Sequence, residues 1–256
     1  MRTLIKNGHV IDPANNIDGF FDILINKGKI EAVLPKDKSS ESEIKDTKVI
    51  KDKSSESEIK DTKVIDAREC VVAPGFCDMH VHFREPGHEY KETIETGSAS
   101  AAAGGFSTVA VMPNTFPVND NRSVTELIFS QAKKTSLVNI FPIGAITNGL
   151  KGETLSDMGE LKESGCIGYS DDGKPVMNTE LMRRALEYSR MFDLPCIQHS
   201  EILDLTIGGC MNEGIVSTEL GLKGMPVEAE DIMVFRDICL LRKTGGRLHV
   251  AHISSG

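Results

Sequence analysis

The chain has 256 residues, 39% hydrophobic and 26% charged, the balance of a soluble globular protein with enough apolar side chains for a sizeable core. A formal net charge of -9 and a pI near 5.3 exclude a nucleic acid or an acidic membrane surface as the natural partner. Six cysteines without a CxxC read as buried free thiols of a reducing compartment, and neither a signal peptide nor an 18-residue apolar run is found, so a cytoplasmic location is expected.

From Thr3 to about Leu34 the pattern is short strands and tight turns: Thr3 to Lys6, a turn at Asn7-Gly8, His9 to Ile11, Asp22 to Ile25, a turn at Asn26-Lys27-Gly28, then Lys29 to Val33. This predicts a small antiparallel sheet, too small to hold a core alone. Residues 36–50 and 51–65 are letter-for-letter copies of KDKSSESEIKDTKVI. A perfect tandem copy is unlike a structural repeat, whose units diverge and recur, and it reads as a recent duplication or a sequence-assembly artefact. One copy is expected to supply the strand leading into Asp66-Ala67, the remainder being a solvated loop.

After residue 66 strands alternate with helical patterns, the grammar of βα units and a parallel sheet. The first strand carries Asp78-Met79-His80-Val81-His82-Phe83-Arg84. Strand periodicity places Asp78, His80, His82 and Arg84 on one face, the imidazoles about 6–7 Å apart along the backbone, a pair able to grip one metal ion. Asp78 is expected to orient a ligand or neighbouring backbone. A helix over Glu92 to Ala103 and a second strand over Ser107 to Met112 follow, then a helix over Ser123 to Lys134 with Ser123 as N-cap. The third strand is Val138 to Ala145, and a helix from Met158 leads to the fourth, Cys166 to Ser170, ending at Asp171-Asp172-Gly173. The fifth, Pro195 to His199, follows the helix Thr179 to Met191, and the sixth, Leu248 to His252, follows the helix Glu228 to Lys243.

Six such strands with polar residues at their C-terminal ends fit a (β/α)₈ TIM-type barrel, in which catalytic groups gather at that face. A complete barrel takes about 250 residues, so an incomplete one, cut off after its sixth strand, is expected. The strand ends contribute His80, His82, Asn114, Asp172, His199 and His252. Four imidazoles and a carboxylate suit a pair of divalent, borderline-soft ions such as zinc, which together activate water and polarise the carbonyl it attacks. His249, an odd number of positions from His252, is expected to face the outer helices, and His9 and His88 to lie on the surface.

The strings DMHVHFREPG, MPNT, GYSDDG, IQHSE, GMPVEAE and HVAHIS, in this order, resemble dihydroorotase of the amidohydrolase superfamily. The resemblance implies that His80 and His82 bind one zinc ion, His199 and His252 a second, and Asp172 bridges both. Many relatives bridge with a carboxylated lysine; no lysine stands at the end of the fourth strand, so the branch with aspartate is implied. Arg84 and Asn114 would hold a substrate carboxylate. The family's acid/base aspartate would lie beyond residue 256, and residues 1–256 alone are therefore expected to turn over slowly.

The implied domains are residues 1–66, part of a β-sandwich containing the duplication, and 67–256, the incomplete barrel. The implied reaction is interconversion of dihydroorotate and N-carbamoyl-L-aspartate in de novo pyrimidine biosynthesis. Alternatives are a hydantoinase or allantoinase, or a noncatalytic partner subunit of aspartate carbamoyltransferase. A homodimer or a complex with that transferase is a further expectation.

Overall fold

The structure is a computed structural model, and it describes residues 2–35 and 62–256. Most of the duplicated segment, including the loop expected there, lies outside the described residues. Two compact units are found, residues 1–75 and 76–256.

The first unit is built on β1 (Arg2–Asp12), which pairs antiparallel with β2 (Ile17–Asn26); β2 in turn pairs with β3 (Lys29–Pro35). The turn expected at Lys27-Gly28 is present, with both residues at positive φ, as a two-residue hairpin loop demands. Asn7-Gly8, also expected to be a turn, instead kinks a single long strand. Asn7 sits at φ 66, the pairing register shifts there, and its N–H donates to Asp22 Oδ1 at 2.9 Å. The sheet is mixed rather than purely antiparallel. Both β4 (Thr62–Asp66) and β5 (Val71–Val72) run parallel to β1, so the second copy of the repeat supplies β4. The stretch carrying β5 falls between the change of sequence grammar at residue 66 and the division between the units.

In the second unit six strands lie side by side in chain order. β6 (Phe76–Val81), β7 (Phe106–Val111) and β8 (Asn139–Pro142) are mutually parallel. A parallel bridge from Gly144 to Tyr169 leads on to β9 (Tyr169–Ser170), then β10 (Cys196–His199). The last, β13 (Leu248–Ala251), pairs with β10. Helices fill the connections: α1 (Ile94–Ala103), α2 (Arg122–Thr135), α3 (Met158–Glu163), α4 (Thr179–Arg190) and α7 (Glu228–Thr244). The N-cap of α2 is Asn121 rather than Ser123. Its side chain accepts from the Val124 N–H at 3.2 Å, and Asn is at least as good a cap as Ser.

Between β10 and β13 the structure adds elements that the sequence does not announce: α5 (Leu203–Thr206), α6 (Ile215–Leu220), and β11 (Met211–Asn212) paired with β12 (Gly224–Met225). None of the helices among the described residues is long and apolar enough to cross a membrane.

Alternation along the strands divides the core. Val109 and Val111 of β7 pack with Ile94, Val124 and Ile128 of the helices, whereas Ala110 and Met112 meet Ile143, Ile197 and Ala251 on the opposite face. On α4, Met182, Ala185, Leu186 and Ser189 are buried, the i, i+3, i+4, i+7 spacing of one helix face. Burial of each such large apolar side chain contributes about 1.5–3 kcal/mol, several times what helix propensity offers per residue.

Candidate metal centre

Each histidine reaches the site from the end of a strand. His80 lies on β6 and His82 just past it. The motif strand is shorter than expected because β6 carries a bulge between Asp78 and Val81 and ends at Val81, so Arg84 is not part of a continuous strand face; it sits in the following turn at φ 60. Phe83, directly after His82, is buried against α1, where Gly97 makes room for it. A Cβ at position 97 would lie 2.5 Å from the Phe83 ring. Asp78 accepts the His80 N–H at 3.0 Å, the backbone-orienting role expected of it.

Gly87 joins the next two loops. It sits at φ +95, and a Cβ there would come within 1.9 Å of the Phe116 carbonyl oxygen, while the Phe116 N–H donates to the Pro86 carbonyl at 2.9 Å. The loop bearing Arg84 is thereby tied to the loop bearing Asn114.

Asp172, with its side chain only 6% exposed, is at the centre. Its Oδ1 is 3.2 Å from His80 Nε2, 3.5 Å from His252 Nε2 and 3.7 Å from His199 Nδ1, and its Oδ2 is 3.4 Å from His82 Nε2. The ring centroids of His80 lie 5.1 Å from those of His82 and 4.4 Å from those of His252. Two triads result, His80, His82 and Asp172, and Asp172, His199 and His252, each with ligand atoms within 4.8 Å of one another.

These separations fit a metal better than hydrogen bonds. A hydrogen-bonded N···O pair prefers about 2.7–3.2 Å, whereas two ligand atoms about 2.0–2.1 Å from a tetrahedral ion lie about 3.3 Å apart. His80 Nε2, Asp172 Oδ1 and His199 Nδ1 are moreover buried without a hydrogen-bond partner, a costly condition that a shared cation relieves. Burial pushes the Asp172 carboxyl up, but the His199 and His80 rings outweigh it and hold the group well below the usual carboxylate range, so it stays anionic. Burial lowers His82 against the raising effect of Asn114 and Asp172, with the charge of Arg84 adding to the lowering, whereas the Asp172 carboxylate raises His199.

Side chains around the ligands orient them. Asn114 Nδ2 donates to Asp172 Oδ2 at 3.2 Å, which leaves Asn114 Oδ1 to accept from His82 Nδ1 at 2.9 Å. The His82 proton thus sits on Nδ1 and the Nε2 lone pair faces Asp172. Glu201 Oε2 stands 3.5 Å from His199 Nε2, on the opposite side of the ring from Asp172, and is itself held by the Thr206 hydroxyl at 2.5 Å. Asp171 points away from the cluster and accepts the Ile146 and Thr147 N–H groups at 2.8 and 2.9 Å and the Thr147 hydroxyl; burial pushes it up to about 6 against these donors. Gln198, next to His199, donates to the buried Asp237 at 3.1 Å, which also accepts from Arg236 at 2.8 Å.

All five sequence-predicted ligands therefore converge. Asn114 meets them through His82 and Asp172, and Arg84 lies close enough for its charge to act on His82. His249 does not face the outer helices. It lines a cavity with Met79, Ala110, Ile143 and Ile197, because His252 has left the strand at φ 58 and the parity count from it fails. The roles of Asp171, Glu201 and Asp237 were not read from the sequence. Only the acidic residue two places after His199, in IQHSE, carried a signal that could have been followed.

A parallel α/β fold that gathers four histidines and an aspartate at the C-terminal ends of its strands defines the class: a chain with side chains able to hold metal at one face of a parallel sheet. The fold likeness is direct. L-hydantoinase (dihydropyrimidinase) from Arthrobacter aurescens superposes with a TM-score of 0.73 at 20% identity, over 98% of this chain and 53% of that one. Dihydropyrimidinase from Brevibacillus agri gives 0.69 at 20% identity, over 99% and 52%. The dihydro-orotase-like family model matches residues 69–256, and the chain belongs to that family. It is 49% identical over its whole length to a dihydroorotase of Syntrophus aciditrophicus and 51% identical to one of Geobacter metallireducens, covering 56% of each. The chain thus spans little more than half the length of these curated relatives.

Proposed function

We propose that this chain carries the metal centre of a zinc-dependent cyclic amide hydrolase that interconverts dihydroorotate and N-carbamoyl-L-aspartate in pyrimidine biosynthesis. The observation that supports this most is the ring of four imidazole nitrogens 3.2–3.7 Å from the buried Asp172 carboxylate. We read the six parallel strands as part of a (β/α)₈ barrel and the first unit as part of a β-sandwich. The six cysteines are all free, which fits a cytoplasmic enzyme, although only Cys166 and Cys196 are buried as expected and Cys70, Cys77, Cys210 and Cys239 are exposed.

In this reading His80 and His82 hold one zinc ion, His199 and His252 a second, and Asp172 serves both. Bound zinc would lower the pKa of water towards neutrality and draw electron density from the amide carbonyl. The chain's own residues do the rest. Asn114 keeps His82 in the tautomer that presents Nε2, and Glu201, on Nε2 of His199, can keep that ring in the opposite tautomer, which presents Nδ1. Arg84, whose guanidinium offers a planar fork, anchors the substrate carboxylate, and Asn114, whose amide nitrogen donates to both the carboxylate and the carbonyl of Asp172, would have to exchange one of these bonds to assist. That anchor turns the ring so that its amide faces Asp172 and not solvent. A homodimer, or association with aspartate carbamoyltransferase, belongs to the same reading.

The test compares substrates. The full-length protein is expected to convert dihydroorotate at least about a hundredfold more efficiently than hydantoin, the two differing by a charge-assisted pair worth about 1.5–3 kcal/mol plus its positioning effect. Activity should vanish on chelation and return with zinc. Preference for hydantoin, or turnover that survives chelation, would refute the assignment.

A further inference from the structure

His252 is the one proposed ligand that stands beyond its strand in a left-handed conformation, at φ 58, which a residue with a Cβ seldom adopts. Something must hold the chain in that bend. Across from it, in the first turn of α7, the Glu230 carboxylate accepts the Ser254 N–H at 2.9 Å on Oε1 and 3.1 Å on Oε2, the Ser254 hydroxyl at 2.6 Å, and the Ser255 N–H at 3.3 Å. One side chain thereby satisfies two of the backbone donors that follow the bend. Helix α7 is itself fixed, with Ala229 and Met233 buried on the same turns, and the Ala229 carbonyl accepts the Ile202 N–H at 2.8 Å, just beyond His199.

We infer that Glu230 is a positioning residue for the metal centre, clamping Ser254 and Ser255 so that the His252 ring stays beside Asp172. The inference rests on the reading that His252 holds metal. A glutamine at 230 would keep size and helix propensity but would set an NH₂ group against N–H donors, so the bend would relax and His252 would lose its place. No charge needs to reach the metal for this to happen. A second carboxylate, Glu213, lines the same cavity and has no bond to residues 252–255, so it separates a clamp from a simple loss of negative field.

The experiment is a zinc titration of the metal-free protein against a chromophoric chelator, for wild type, Glu230→Gln, Ser254→Ala, the double variant and Glu213→Gln, with thermal melting of each metal-free form. Wild type should take up two zinc ions. Glu230→Gln should weaken one of the two by about 10- to 100-fold, the range for partners that orient metal ligands, while Glu213→Gln stays near wild type. Ser254→Ala should weaken the same site less, and add nothing in the Glu230→Gln background. Wild-type affinity in Glu230→Gln, or an equal loss in Glu213→Gln, overturns the clamp. If Glu230→Gln does not melt cooperatively, Ser254→Ala decides, and unchanged affinity there overturns it too. A wild-type protein that takes up no zinc refutes the metal reading itself, a result distinct from all of these.

Discussion

Asp172→Ala should strip both zinc ions from the protein and abolish its activity. The carboxylate lies within 3.7 Å of all four imidazole nitrogens and belongs to both triads, so each triad loses its one anionic ligand. The loss should exceed the 10- to 100-fold typical of orienting partners. His82→Ala removes a ligand from one triad only and should cost chiefly one ion. Metal analysis after gel filtration distinguishes the outcomes: near-zero zinc in Asp172→Ala and about half the wild-type zinc in His82→Ala. An Asp172→Ala protein that keeps its full complement of metal would show that Asp172 is not the bridge.

Arg84→Met should separate substrates by charge. A charge-assisted hydrogen bond contributes about 1.5–3 kcal/mol, which converts to about a 10- to 150-fold fall in kcat/KM for dihydroorotate. An uncharged cyclic amide never made that pair, and its turnover should change by less than about threefold. Methionine keeps the apolar stem of arginine and loses only its charged head, so the turn at φ 60 and the Phe116 to Pro86 backbone bond that ties it to the loop of Asn114 should survive. Equal losses for both substrates would mean that Arg84 supports the loop and does not recognise the acid.

Much of this site is written in the local sequence, because strand ends can be read from β-branched runs that stop at turn residues. Such runs place His80, Asp172, His199 and His252 at the same face of a parallel sheet before any packing is known. Parity counting fails where the backbone leaves strand geometry. The bulge in β6 and the positive φ of Arg84 and His252 are tertiary choices that no alternation reveals, and for that reason the expected face of Arg84 and the expected orientation of His249 were misread. The insertion between β10 and β13 escapes for a different reason. Helices of four and six residues are too short to show a helical period. Partnerships such as Asn114 with His82 or Glu230 with Ser254 join residues 32 and 24 positions apart, and a single sequence carries no signal for them.

The five-ligand centre is tested most directly by anomalous scattering at the zinc edge from crystals of the protein grown with zinc. Two peaks are expected, both about 2.0–2.2 Å from an Asp172 oxygen, one of them coordinated by His80 and His82 and the other by His199 and His252. Zinc peaks that lie elsewhere, or none within reach of Asp172, would contradict the metal centre and the function built on it.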